Sequence, residues 1–203
     1  MIKNIFEYAL GGIYMKFVKN ALISLYINLF IIIFLFVSLL RGLIKNDMGN
    51  WIHILLIAGV IISGISNIIF AAKNTINSCK LCKNRDYNSL RKCMKILKFG
   101  AIPYFILNFA MHFLIFLFLF AASRGTMIFT PIPLLFFIPI CFTYPTVVFT
   151  SLYGIGFVVS ISRDKKLSKK KFIFHVLLQL CFILDVISTI SLLIKYKKID
   201  EIN

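Results

Sequence analysis

The chain has 203 residues, of which 60% are hydrophobic and only 15% charged, and its formal net charge is +16. A soluble domain of this length needs more polar surface, so the composition excludes an ordinary water-soluble fold and points to the membrane class. On a soluble protein such a charge would raise nucleic acid as a partner; here basic loops that orient the chain and touch anionic lipid headgroups explain it better, and no nucleic-acid partner is expected.

The first segment, "MIKNIFEYALGGIYMKFVKN", places Ile2, Ile5, Phe6, Ala9, Ile13 and Phe17 at helical spacing. It reads as a short amphipathic helix lying at the interface, weakened by Gly11 and Gly12. A spanning helix needs about 20 apolar residues. The run 21–40 meets this and has no small-residue cleavage pattern, so no cleaved signal is expected. The second and third spans are expected over 51–72 and 101–122. A fourth is expected over 134–161, bent near Pro139 or Pro145, because proline removes a donor and clashes with the preceding turn. The fifth, 172–194, reads "FIFHVLLQLCFILDVISTISLLI" and carries an acid, Asp185, near its middle.

Basic residues set the orientation. Three lie on the N-terminal arm, eight in the connection around 73–99 and six in the loop around 162–171, together 17 of the chain's 23. The fold class expected is therefore an all-α integral membrane protein. It has five transmembrane helices plus the interfacial N-terminal helix, with the N-terminus inside and the C-terminus outside. In the first basic connection, Leu90, Cys93, Met94 and Leu97 fall on one helical face and Arg91, Lys92, Lys95 and Lys98 on the other.

Metal and catalytic signatures are weak. Cys79 and Cys82 form C-x2-C in a basic loop, with Cys93 nearby, but no histidine stands beside them to complete four ligands. No metal site and no cofactor are expected, and Cys79, Cys82 and Cys93 read as ordinary reduced thiols. H-E-x-x-H, G-x-S-x-G and the phosphate-binding glycine loop are missing, and six of the seven acids lie outside the spans, so no catalytic residue is assigned and no enzyme is expected.

What remains is polar residues inside the spans. Counted from the cytoplasmic ends at about 1.5 Å per residue, Asn28, Asn108 and Gln179 lie roughly 10 Å deep, with Asn67 a little shallower. His112 and Asp185 lie near the midplane at matched depth. With His175, these residues form a candidate polar pathway in which Asp185 faces His112, because an acid in hydrocarbon is costly and usually serves a site. The plainer alternative is that the amides and hydroxyls only glue helices together.

The stretch "LKFGAIPYFILNF", Leu97–Phe109, resembles a segment of small, uncharacterised multi-pass membrane proteins of Gram-positive bacteria. The resemblance implies a bacterial cytoplasmic-membrane location and no activity. The function expected is a transporter-like or channel-like subunit, acting as a homo-oligomer or with a partner membrane subunit. The alternative is a non-catalytic accessory, immunity or assembly protein working through helix–helix contacts.

Overall fold

The computed structural model describes residues 2–45, 50–129, 137–164, 167–181 and 184–196. These residues form six α-helices and no strand: α1 Ile2–Lys45, α2 Asn50–Lys83, α3 Tyr87–Ala122, α4 Phe137–Arg163, α5 Lys169–Leu180 and α6 Leu184–Lys195, with a 3-10 turn at Thr126–Phe129. Four of them, α1 to α4, are long and apolar enough to cross a membrane.

Two sequence expectations change. The N-terminal segment is not a separate interfacial helix: α1 runs unbroken for 44 residues through Gly11 and Gly12. In a long helix the cost of two glycines, about 1 kcal/mol each, does not outweigh the bonds on either side. Residues 172–194 are not one helix either. α5 and α6 have 12 residues each, and the chain turns extended at Cys181 (φ −96°, ψ 127°). At about 1.5 Å per residue each is roughly 18 Å long, short of the ~30 Å hydrocarbon core. The fourth expected span is observed as a helix that continues through Pro145. Pro139 lies within it, and the expected start at residue 134 falls outside the described residues.

Polar rungs fix how the helices stack. Ser38 and His53 meet at 3.3 Å near one end of α1 and α2, and Asn28 donates to Ser63 at 2.7 Å further along. Tyr26 donates to Gly100 O at 2.8 Å, Asn108 to Thr143 at 3.0 Å, and Ser78 to Leu152 O at 3.0 Å. At the opposite end Tyr87 donates to Asp164, which also accepts from Arg85 at 3.2 Å. α5 begins beside that junction. α6 returns to it: Arg91 near the start of α3 donates to Leu193 O at 2.9 Å, and Tyr196 sits edge-on to Phe157 at 6.5 Å. α5 and α6 are thus a hairpin whose two open ends lie at the same end of the bundle. The expectation of one through-going helix over 172–194 is corrected accordingly.

Packing is uneven along the bundle. At the end that holds the hairpin, one core joins Leu81, Leu90, Met94, Phe157, Ile161 and Leu192 from four helices, with Val18 from α1. The expected face of Leu90, Cys93, Met94 and Leu97 is buried there, and Lys92 and Lys95 are exposed. At the other end the second buried cluster is Leu29, Tyr104 and Met111 alone.

Candidate functional site: a four-helix cleft above a buried ion pair

Where the core thins, α1 to α4 part around a cavity of about 720 Å³. Its walls are largely apolar, with Leu25, Ile32, Val60, Ile65 and Phe149 among them, and carboxamides and hydroxyls set between. Asn28, Asn67, Asn108 and His112 all line it, together with Tyr104 and Thr146. Helical periodicity places them there: Tyr104, Asn108 and His112 are four residues apart on α3 and share one face. The geometry of each is defined. Asn28 and Asn108 point their amide nitrogens across to Ser63 and Thr143. His112 donates from Nδ1 to its own helix at Asn108 O, 2.7 Å, because a carbonyl only accepts. In the neutral ring Nε2 is then an acceptor. Asn67 Oδ1 is buried and has no hydrogen-bond partner among the described residues.

The floor of the cavity includes Leu97, Asn74 and Thr150. The residues next in sequence, Lys98 and Ser151, belong to the second centre. Lys98 is 3% exposed and forms an ion pair with Asp185, itself 3% exposed, in the first turn of α6. Lys98 Nζ also donates to Ser151 Oγ at 2.7 Å. The Ser151 hydroxyl lies 2.6 Å from Gln179 O, 2.7 Å from Val147 O and 3.3 Å from Asp185 Oδ2. Gln179 lies in the last turn of α5, where helix carbonyls have no intrahelical donor, and the Ser151 hydroxyl donates to its carbonyl. His175 sits further out, with Nδ1 at 3.1 Å from Ser188 Oγ on α6.

A family model described as a family of unknown function, DUF6652, matches residues 16–198. The chain belongs to that family. No curated protein and no solved structure matches it. The part shared with the family takes in both the cleft and the ion pair.

The seven sequence candidates therefore separate into two groups. Asn28, Asn67, Asn108 and His112 meet at the cleft; Asp185, Gln179 and His175 meet at the hairpin. The expected pairing of Asp185 with His112 does not occur. Asp185 pairs with Lys98, and His112, 14 residues or about 21 Å further along α3, bonds to its own helix. The depth estimate failed because it assumed a straight fifth span. Lys98 and Ser151 were missed by sequence reasoning. Lys98 follows Met94 by four residues and precedes Ala101 by three, both buried, so its spacing already placed it on the inner stripe.

Among the described residues no group of three His, Cys, Asp or Glu side chains is placed to hold a metal. Cys82 is buried and accepts from Ser160 at 3.3 Å, Cys93 is in the core, and Cys79 is exposed.

Proposed function

We propose that this protein is a subunit of a membrane transport or channel assembly, in which the cleft between α1 and α4 receives a small, mostly apolar solute with one or two hydrogen-bonding groups. The observation that carries the reading is the cleft itself. Its volume lies in the usual range of small-molecule sites, and its walls are apolar with a few convergent polar groups. The buried, unpaired Asn67 Oδ1 adds an acceptor with nothing yet to accept from. The ion pair beneath the floor gives the cleft a closed end. This reading assigns no catalytic step. The basic end carries the lysines of α2, α3 and α5 and faces the cytoplasm of a bacterial cell, against anionic headgroups.

The competing reading is an accessory protein whose carboxamides only hold helices together. Water separates the two. Single cysteines at Asn67 and Thr146, in a chain lacking the native thiols, are expected to react with a membrane-impermeant thiol reagent. A cysteine at Ile62, on the outer face of α2, is expected to stay unlabelled. Equal silence at all three positions would mean a dry, lipid-filled cleft and would favour the accessory reading.

A further inference from the structure

Four of the six buried polar atoms that lack a partner among the described residues belong to α5 and α6: Gln179 Oε1 and Nε2, Asp185 Oδ1 and Thr189 Oγ1. Their residues are 0%, 3% and 1% exposed. Orphaned polar groups at such depth are expensive, so their grouping calls for an explanation. Asp185 and Thr189 stand one turn apart on one face of α6. Ser151 ties the backbone of Gln179 to Asp185. The Gln179 carboxamide then presses against Gly154, where a Cβ would collide with it. Gly154 lies one turn beyond Ser151 on α4, and Thr189 one turn beyond Asp185 on α6. Both helices run toward the basic end, so the Gln179 carboxamide and Thr189 lie on one level, about one turn or roughly 5 Å beyond Ser151 and the Asp185 carboxylate.

Three of the four are oxygens: a carboxylate, an amide carbonyl and a hydroxyl. That is the donor set of a hard cation; no sulfur or imidazole joins it. We propose that Asp185, Gln179 and Thr189 form a binding site for a monovalent alkali cation, with the Lys98 ammonium as the charge that it replaces. The carboxylate divides the work: Oδ2 faces Lys98 and Ser151, and Oδ1 is the oxygen left over. With Lys98 charged, the pair is neutral, and an added cation would leave a net positive charge in a dry interior. Release of one proton from Lys98 Nζ to solvent, its electron pair staying on nitrogen, restores neutrality. One monovalent ion enters for each proton that leaves, whereas a divalent ion would leave the excess in place.

The other ionisable groups near the site are engaged elsewhere. From α3, Arg91 donates to Leu193 O; from α5, His175 is with Ser188; from α4, the Tyr153 hydroxyl donates to Asn74 at 2.8 Å. The site is separate from the cleft, and its occupancy is read without any transported solute.

The test uses the purified full chain in detergent at constant ionic strength, comparing sodium, lithium and potassium chlorides with choline chloride. Thermal unfolding is expected to shift upward saturably with at least one alkali ion. The apparent affinity should tighten about tenfold per pH unit as pH rises, as exchange against one proton requires. A pH dye in weak buffer should report one proton released per ion bound. Thr189→Val should weaken binding about tenfold or more while the chain stays folded, and Asp185→Asn should abolish it. Where Asp185→Asn fails to fold, Gln179→Leu and Thr189→Val carry the test. Indifference to all three alkali ions from mildly acid to mildly alkaline solution would overturn the proposal. So would ion binding without proton release, or unchanged binding by Thr189→Val.

Discussion

Gly154 and Gln179 show how much a single atom decides in this interior. The glycine leaves the space that the Gln179 side chain occupies, and that side chain is fully buried with little room to retreat. Gly154→Ala is therefore expected to cost about 1–3 kcal/mol, the usual range for an overpacked core. Gln179→Ala in the same chain should recover most of the loss, and the coupling would be read from a double-mutant cycle of thermal unfolding in detergent. Simple additivity of the two changes would show that the residues do not meet. Residue types were readable from the sequence, because an acid, a glutamine and a histidine inside an apolar run announce themselves. Their partners were not. The sequence groups Lys98 with Arg91, Lys92 and Lys95 on one basic face; Lys92 and Lys95 are exposed but Lys98 is buried, and charge alone cannot tell one lysine on a helix from the next.

At the scale of elements, the hairpin was the least readable feature. Hydropathy reports length and composition, and 23 apolar residues fit one span as well as two half-length helices. The break falls at Cys181, with no proline or glycine to mark it. By contrast, the α2–α3 turn follows local chemistry. Arg85 adopts a left-handed conformation (φ 57°), and Asp86 caps α3 by accepting from Ser89 N at 2.9 Å. Asp86→Ala should lower stability by about 0.5–2 kcal/mol in thermal unfolding. The hairpin yields a sharper test. Single cysteines at Ser168 and at Lys195, at its two open ends, should be labelled from the same side of the membrane. Labelling from opposite faces in intact cells would restore a through-going fifth span.

For the whole molecule, the contrast between a packed end and an open end matters most. Leu90, Met94, Phe157 and Ile161 are fully buried or nearly so, while α3 beyond His112 presents mostly exposed residues. Local opening follows burial. Amide hydrogen exchange in detergent should therefore be slowest in the first turns of α3 and the last turns of α4, and faster toward Ala122. Uniform protection along α3 would contradict this two-ended picture. The all-helical class and the first three long apolar helices were readable because each holds an uninterrupted apolar run near one bilayer thickness. The cleft was half-readable. Matched depths put Asn28, Asn108 and Gln179 on one level with Asn67 a little shallower; the three asparagines line the cleft and Gln179 does not, and the volume between helices depends on how far side chains hold them apart, which no single helix encodes.

The ion pair also carries a consequence for biosynthesis. Lys98 and Asp185 are 87 positions apart in the chain. At about 5–20 residues per second, Asp185 leaves the ribosome several seconds after Lys98 has been made. Throughout that interval Lys98 lacks the carboxylate that it pairs with in the folded chain. The nascent chain must hold that end of α3 in water, or loosely against headgroups, until the hairpin arrives. Closure of the basic end is thus a late event in assembly, and the neutralised pair is a record that the hairpin has docked.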